Sequence, residues 1–392
     1  MSNFLTSRIL RGVGAAAIAL LSACAAQNES GGRQSVAFSD LEGWGADAAQ
    51  QSIPVFLSEC RYLGRLPADA TLGSDSGLGA HVGDWLPACR AAASLPTGDA
   101  QAAQAFYERW FQPVRTGDGS ALFTGYYEPE IRGSLTRGGI YQTPVYRVPD
   151  DLVRTRATDG RMVAGRWQGG QFVPYWSRAQ IDAGALSGRH LELLWVADSA
   201  DLFFLQIQGS GRVRLPSGQV VRLGFGGKNG LDYVPLGRVL IRDGAMAEDD
   251  VSMQSIRAWL AAHPGEARVT MEENPNYVFF NLLDNVYVDQ GAPGAMGVPL
   301  SPGQSAAIDR RVIPLGAPIW VETKLPDPSA ATWRRLVFAQ DIGTDIQGAS
   351  RADLYLGWGT DAEQTAGKLR QHGRMVVFLP RPVVVQAQGG GS

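Results

Sequence analysis

Several residue types that would indicate particular functions are scarce in this sequence. The 392 residues include three cysteines and four histidines, and no two histidines stand in the HxH or HExxH spacing of zinc sites. A zinc hydrolase is therefore poorly supported. The net charge is −3, which gives no sign of the basic stripe typical of nucleic-acid binding proteins. Hydrophobic residues make up 45% of the chain, an ordinary globular share, and the length suggests two or three domains.

The amino-terminal residues lack a run long enough to span a membrane. Arg8 and Arg11 precede an apolar run over residues 13–21, which is shorter than the about 20 residues that a spanning helix needs. Small residues follow the run. A basic start, a short apolar run and small residues together are typical of a bacterial secretion signal.

The end of this signal contains a cysteine. The tetrapeptide LSAC at residues 21–24 resembles the cleavage box of lipoproteins, in which the cysteine becomes the lipidated first residue. We therefore predict residues 1–24 to be a lipoprotein signal with Cys24 as the lipid-attachment residue, which would hold the protein on a membrane. The alternative is a plain signal that is cleaved after Ala23 or Ala25. Because residue 25 is not aspartate, lipoprotein sorting suggests attachment to the outer membrane and hence a periplasmic location.

Two cysteines remain if Cys24 is lipidated. Cys60 and Cys89 then form an even pair in an oxidising compartment, and we predict a disulfide between them. Two buried free thiols are the alternative.

The remaining sequence favours short strands. Apolar periodicity predicts helices over residues 49–64, broken early by Pro54, and over residues 99–114 and 251–263. A fourth helix is predicted over residues 360–372, with Thr360 and Glu363 as a capping box and Gly373 as its stop. The other segments, including residues 201–227, are predicted to be extended, and residues 212–224 to be a hairpin with the turn PSG. This pattern predicts a mostly β protein with a β-barrel core and appended helices.

Three aspartates, Asp341, Asp345 and Asp353, lie among glycines in residues 339–359. Their spacing is poor for a calcium loop, which places its oxygen ligands at alternate positions. The triplet DIG resembles that of aspartic proteases, but these enzymes need two such aspartates and DIG occurs once. Glycoside cleavage by carboxylates is a third interpretation. Aromatic residues near polar glycines could line a sugar groove or belong to the core: Tyr126, Tyr127, Tyr175, Trp176, Tyr233, Tyr277 and Trp358.

Several segments in order resemble one family. They include FTGYYEPEIRGS, YWSRAQIDAGAL, DLFFLQIQGSGRVRLPSG, GGKNGLDYVPLGRVLI, NPNYVFFN and the stretch at 339–359. Order and spacing over residues 120–380 are similar to those of membrane-bound lytic murein transglycosylase A, a family with a carboxy-terminal 3D-type domain. The resemblance implies a double-psi β-barrel main domain with appended helices, an inserted second β domain and a groove between them. The implied divisions are a signal (1–24), a linker (25–45), a discontinuous barrel domain (46–128 and 270–385), an insert (129–269) and a disordered tail (386–392).

The resemblance also implies a reaction. The substrate would be the peptidoglycan glycan strand, cut at the β-1,4 bond between N-acetylmuramic acid and N-acetylglucosamine. The C6 hydroxyl of the muramic acid would attack C1 and leave a 1,6-anhydro end, so that a single acid suffices. The family pattern places that acid at Asp353, and we interpret Asp341 as a neighbour that tunes or orients it. An aspartate that donates a proton near neutral pH needs a raised pKa, through burial or a nearby negative charge.

This sequence departs from the family pattern between the two aspartates. The family commonly reads DxGGAIKG where this chain reads DIGTDIQG, so Asp345 and Gln347 replace a small apolar residue and a lysine. If both side chains faced the groove, we would expect the pKa of Asp353 to rise further.

The remaining expectations come from the same motifs. The substrate-binding residues implied by them are Thr124, Tyr126, Gln208, Ser210, Lys228 and Asn229. Neither a metal nor a cofactor is expected, and cell-wall enzyme complexes are candidate partners. Two alternatives stay open: a non-catalytic peptidoglycan-binding lipoprotein, and a glycoside hydrolase that uses water and two carboxylates.

Overall fold

The computed structural model of the chain describes residues 33–73, 79–157, 162–284, 289–326 and 331–381, without the side chains of 116–118. The predicted signal with Cys24, residues 25–32 of the predicted linker and the predicted tail 386–392 lie outside the described residues. Among the helices that are described, none is long and apolar enough to cross a membrane.

The described residues form helices and a larger number of strands. The α-helices are α1 (Ala46–Leu63), α2 (Val82–Ala92), α3 (Ala100–Trp110), α4 (Arg178–Asp182), α5 (Ser199–Gln208), α6 (Leu236–Arg242), α7 (Met253–Ala262), α8 (Pro264–Glu272) and α9 (Thr360–Ala366). The strands are β1 (Gln34–Ser35), β2 (Phe111–Glu128), β3 (Glu130–Ser134), β4 (Thr143–Tyr146), β5 (Val153–Arg156), β6 (Met162–Gln168), β7 (Gln171–Pro174), β8 (Glu192–Val196), β9 (Gly211–Arg214), β10 (Val220–Lys228), β11 (Val278–Leu282), β12 (Ser305–Ala307), β13 (Pro318–Lys324), β14 (Thr332–Asp341), β15 (Arg351–Trp358) and β16 (Arg370–Pro380).

Six strands close into a barrel. Their order is β2-β15-β12-β14-β13-β16, and β16 pairs back onto β2, so the ring has no open edge. The pairs β2–β15 and β12–β14 are parallel, whereas the others are antiparallel. This mostly β architecture is as predicted, and the closed ring is consistent with a double-psi barrel.

The barrel shares one core with helices α1 to α3. Apolar side chains of the helices, such as Phe56 and Tyr107, pack with barrel residues such as Phe338 and are fully buried. Cys60 of α1 and Cys89 of α2 are joined by a disulfide. Helix α1 continues through Pro54, contrary to the predicted break, because the buried side chains of the following turn hold it against the core.

Part of the predicted linker belongs to the barrel. Strand β1 pairs with β2, and the Trp44 ring lies 5.6 Å from that of Trp320 in an edge-to-face contact. The boundary predicted at residue 45 therefore lies too late in the chain, because residues 34–44 already pack against the core.

The residues that follow β2 and precede β12 in the sequence form a second sheet. Its strand order is β11-β10-β9-β3-β8-β4, and β5, β6 and β7 form a small separate sheet. The hairpin predicted at 212–224 is present as β9 and β10. Because β11 pairs with β10, this part extends to Leu282, beyond the boundary predicted at residue 269.

Two segments differ from their predicted conformation. Residues 199–208 are helical rather than extended; Asp198 caps α5 by accepting a hydrogen bond from the Ala200 amide, and Gly209 ends it with φ +80°. The predicted helix at 360–372 ends at residue 366, and Gly359 rather than a Thr360 capping box precedes it. Gly373 lies inside β16, where a side chain would collide with the backbone of Glu322.

Candidate active site

Asp341 and Asp353 come together through the barrel register. In strand β12, Ala307 pairs with Asp341 of β14 on one side and with Asp353 of β15 on the other. Paired residues point to the same face of a sheet, so both carboxylates project from one side. Two strand spacings place their Cα atoms roughly 10 Å apart.

Asp353 is held by a short chain of hydrogen bonds. The Thr124 hydroxyl donates to Asp353 Oδ1 over 2.5 Å, and Arg351 Nη2 donates to Thr124 Oγ1 over 2.8 Å. Thr124 is in register with Asp353 because β2 and β15 pair in parallel. The three side chains thus occupy neighbouring strands on one face of the barrel.

The surroundings of Asp353 raise its pKa to about 6. Burial is the main cause, and the Thr124 hydrogen bond and the Arg351 charge oppose it, while the negative charge of Asp341 raises the pKa further. A carboxyl group with this pKa can hold a proton in mildly acidic solution and still release it, as an acid–base catalyst must.

Asp341 is fixed by three donors. Tyr126 donates its hydroxyl to Oδ2 over 3.0 Å, and the backbone amides of Ala295 and Ile342 donate to Oδ1 over 3.0 and 2.9 Å. Burial raises the pKa of Asp341, and these donors counteract that rise. All three donors favour a carboxylate acceptor, so they stabilise the ionised form of Asp341 and hold its side chain in one orientation.

A cavity of about 260 Å³ lies beside Thr124. Its lining includes Gln208 of α5, whose Oε1 accepts a hydrogen bond from the Tyr127 amide over 3.1 Å, and Arg370 of β16. The cavity is therefore formed by barrel strand β2 and the segment that leads from α9 into β16, together with the end of α5 and the start of α7.

The other residues predicted to bind substrate lie in different surroundings. Lys228 is half-buried at the end of β10, and its Nζ donates to the Thr344 hydroxyl over 3.3 Å. The buried Asn229 side chain donates to the carbonyls of Trp176 and Pro275 and accepts from the amides of Leu231 and Tyr277. Its amide group is thus fully used by the loop, which points to a structural contribution. Ser210 is buried between α5 and β9.

Asp345 and Gln347 are exposed. Burial lowers the pKa of Arg351 and of Lys228, and the negative charge of Asp345 opposes that lowering. The same charge adds to burial in raising the pKa of Tyr233 to about 12. Asp345 thus acts on the cations around the site.

Several candidate aromatic residues belong to the core. Tyr127, Tyr175 and Tyr277 are each 2% exposed, too little to stack on a sugar. Trp358 is half-buried, and the Arg212 guanidinium lies 3.9 Å from its ring.

A buried ion-pair cluster links the barrel to the second sheet and was not foreseen. Glu128, at the end of β2, accepts from Arg212 of β9 over 3.2 Å, from Arg222 of β10 over 2.9 Å and from the Tyr355 hydroxyl over 3.2 Å. Because Tyr355 lies two residues after Asp353 on β15, the cluster fixes the second sheet against the strand that carries Asp353. Arg351 was also missed, although a strand period of two places it on the face of Asp353.

Nothing in the described part of the chain resembles a metal centre, since no three His, Cys, Asp or Glu side chains converge there.

Known proteins share both parts of this arrangement. A sequence model of the MltA specific insert domain matches residues 122–281, and one of the 3D domain matches residues 304–379. Membrane-bound lytic murein transglycosylase A of Escherichia coli K12 is 31% identical over 378 residues, which cover 93% of this chain and 94% of that protein. The crystal structure of a membrane-bound lytic murein transglycosylase from Agrobacterium tumefaciens superposes with TM-score 0.81 at 29% identity, covering 90% of this chain and 99% of the other. E. coli MltA with bound chitohexaose superposes with TM-score 0.64 at 29% identity, covering 83% and 89%.

Fold, site and similarity together define an enzyme of the lytic murein transglycosylase class, which acts on peptidoglycan. The chain belongs to the family of membrane-bound lytic murein transglycosylase A, as its motifs predicted.

Proposed function

We propose that this enzyme cuts the β-1,4 bond between N-acetylmuramic acid and N-acetylglucosamine with Asp353 as its only acid–base group. The observation that carries the proposal is the environment of Asp353, a half-buried carboxyl group with a pKa of about 6 beside a second, fixed carboxylate. The motif resemblance supports the same residue.

In the first step, protonated Asp353 donates its proton to the glycosidic oxygen, and the bond from C1 to that oxygen breaks. The N-acetylglucosamine leaves with a free hydroxyl. Positive charge develops at C1 and the ring oxygen, as in other glycoside cleavages. Asp341, held as a carboxylate by Tyr126 and two amides, can stabilise this charge if the sugar lies between the two aspartates.

In the second step, the C6 hydroxyl of the same muramic acid attacks C1. Ionised Asp353 accepts the hydroxyl proton, so the new C6–O–C1 bond closes a 1,6-anhydro ring and the enzyme returns to its protonated form. No water is consumed. Thr124 and Arg351 favour the ionised state of Asp353 between the two steps, because both lower its pKa.

The glycan strand is proposed to pass along the face that holds the two aspartates. A related enzyme, E. coli MltA, has been crystallised with bound chitohexaose, which supports a site for a chain of amino sugars. Thr124, Tyr126, Gln208 and Lys228 would contact sugar, whereas Ser210 and Asn229 would shape the turns that bring these groups close.

We also propose that the protein is periplasmic and anchored through lipidated Cys24 to the outer membrane. The lipoprotein box at residues 21–24 supports this proposal, as does the name of the membrane-bound relatives. Cell-wall enzyme complexes remain candidate partners, and the division into a barrel domain and an inserted domain is part of the same proposal.

Mass spectrometry of purified glycan strands after digestion tests the reaction. The full-length protein in detergent should leave 1,6-anhydro-muramic ends, Asp353→Ala should leave none, and the exposed Asp249→Ala should act like the parent. Reducing ends from the parent would instead indicate a hydrolase in which Asp341 takes part directly. Binding without cleavage by the parent would favour the non-catalytic lipoprotein.

A further inference from the structure

The cavity beside Thr124 presents two positive charges. Lys368, in the segment between α9 and β16, and Arg370, the first residue of β16, are exposed and line it. The described residues of this lining include no acid. Neither Lys368 nor Arg370 forms a side-chain hydrogen bond or an ion pair within the part of the chain that the structure describes. Both cations are therefore available to a ligand.

Arg370 lies in the same row of the barrel as Asp353. It pairs with Thr124 of β2, and Thr124 pairs with Asp353 of β15. Paired residues point to one face of a sheet, so the three side chains project from the same side. Two strand spacings place the Cα atoms of Arg370 and Asp353 roughly 10 Å apart. A sugar whose bond is cut at Asp353 can therefore reach Arg370 with one of its substituents.

The acidic groups nearby act on a different cation, Arg351. Burial lowers the pKa of Arg351, and the negative charges of Asp353 and Asp345 oppose that lowering. The positive charge of Arg370 lowers it further. The two carboxylates are thus compensated by Arg351, whereas Arg370 faces a like charge. An anion bound at Arg370 would offset this repulsion.

One further acid acts on the cavity wall. Burial is the main cause of the raised pKa of Tyr127; Glu363 of α9 raises it further, and Arg257 of α7 lowers it. Charges of opposite sign therefore act on this ring together, and neither residue lines the cavity. Lys368 and Arg370 thus determine the charge that a ligand in the cavity meets.

The cavity suits a carboxylate on a small substituent. Guanidinium and ammonium groups are the usual partners of carboxylates. Gln208 adds a donor, because its Oε1 accepts from the Tyr127 amide and its Nε2 has no acceptor among the described residues. The volume of about 260 Å³ is below the ~300–1,000 Å³ of sites that hold a whole small molecule. It fits a group that is attached to a larger ligand.

We propose that Arg370 and Lys368 bind a carboxylate on the C3 substituent of a muramic acid residue, and so make the enzyme prefer a charged wall strand to a neutral glycan. In a strand without peptides, the lactyl group at C3 ends in this carboxylate. Where a peptide is attached, the lactyl group is an amide and the peptide supplies the carboxylates. The inference rests on the proposed function, because that function brings a muramic acid residue to Asp353.

Isothermal titration calorimetry of the full-length protein in detergent tests the inference. The probe is a tetrasaccharide of alternating N-acetylglucosamine and N-acetylmuramic acid, in which sulfur replaces the oxygen of the bond that the enzyme is proposed to cut. It is compared in three forms: with free lactyl carboxylates, with neutral lactyl carboxamides, and with alanyl-glutamate joined to the lactyl groups.

We expect the parent to bind at least one carboxylate-bearing form about fivefold or more tightly than the carboxamide. A preference for the free acid would assign the site to the lactyl carboxylate, and a preference for the alanyl-glutamate form would assign it to the peptide. If neither form exceeds the carboxamide, the inference is overturned, and this comparison needs no variant to fold.

Variants test the two assigned residues. Arg370→Gln and Lys368→Gln should each weaken binding of the preferred form and leave binding of the carboxamide unchanged. Arg374→Gln is the matched control, because Arg374 is exposed and lies four residues further along β16, roughly 13 Å from Arg370. It should bind all three forms as the parent does. A preference that persists in the double variant of Arg370 and Lys368 would overturn the assignment.

Failure of this inference is distinguishable from failure of the proposed reaction. The sulfur-linked probes report binding alone, whereas the ends left on natural strands report the reaction. Equal binding of all three forms together with 1,6-anhydro ends would overturn the carboxylate site and leave the reaction in place. Reducing ends together with a preference for a carboxylate would do the reverse.

Discussion

Replacement of Thr124 by valine should move the pH dependence of the enzyme. The Thr124 hydroxyl donates to Asp353 over 2.5 Å and stabilises its ionised form, so its removal should raise the pKa of Asp353 above about 6. A hydrogen bond to a charged group contributes about 1.5–3 kcal/mol. Since one pKa unit corresponds to about 1.4 kcal/mol, the shift should be ~1–2 units, and nearer ~1 because Asp353 is only half-buried. Arg351 keeps its bonds to the carbonyls of Leu122 and Ala352, so its charge should stay in place.

The assay is kcat/KM on purified glycan strands as a function of pH. Activity that needs protonated Asp353 falls as pH rises through its pKa, so the alkaline limb of Thr124→Val should lie ~1 pH unit above that of the parent. Thr124→Ser retains the hydroxyl and should leave the limb in place. A limb that does not move in the valine variant, or that moves toward acid, would refute this view of Asp353.

Three further predictions concern stability, measured as the free energy of unfolding in urea. Folding raises the pKa of Asp353 from 3.8 to about 6, so the free energy of unfolding of the parent should fall as pH rises through this window. Asp353→Asn carries no such charge and should be more stable than the parent by up to ~3 kcal/mol at pH 8, with little gain at pH 3. Glu128→Gln leaves two buried arginine charges poorly compensated and should lose ~3–5 kcal/mol. Removal of the Cys60–Cys89 disulfide by a double serine substitution opens a loop of sequence separation 29 and should lose ~3.5 kcal/mol by chain entropy.

Each of these predictions has a control or an opposing outcome. A constant difference between parent and Asp353→Asn at all pH values would contradict the raised pKa. Glu130→Gln, two residues from Glu128, breaks an exposed ion pair with Arg214 and should change stability little. A reducing agent should lower the free energy of unfolding of the parent but not that of the double serine variant. If it leaves both unchanged, the prediction for the disulfide is wrong.

The sequence predicted the barrel strands well because their patterns are local. Strands β13, β14 and β15 are short apolar segments bounded by turn residues, and the PSG turn marks the hairpin of β9 and β10. Helix α5 was missed because it is buried on several sides: Leu202, Phe203 and Leu205 are all in the core, so no polar face reveals a helical period.

The site was predicted only in part. Motifs predicted that Asp353, Asp341 and Thr124 belong to one site, and the structure brings them together, but their contacts depend on a register that local sequence does not carry. The pairing of Ala307 with both aspartates requires closure of the barrel. In the Glu128 cluster, Arg222 lies 94 positions and Tyr355 227 positions from Glu128 in the sequence. Patterns of neighbouring residues cannot predict contacts at such separations.

The central claim is that one carboxyl group and an internal hydroxyl cut the glycan without water. Digestion of glycan strands in water enriched in oxygen-18, followed by mass spectrometry of the new muramic ends, tests it most directly. The proposed reaction predicts that the parent enzyme produces muramic ends without oxygen-18. Asp353→Asn should produce no new ends. Ends that carry one oxygen-18 would contradict it, because they would show that water rather than the C6 hydroxyl attacks C1.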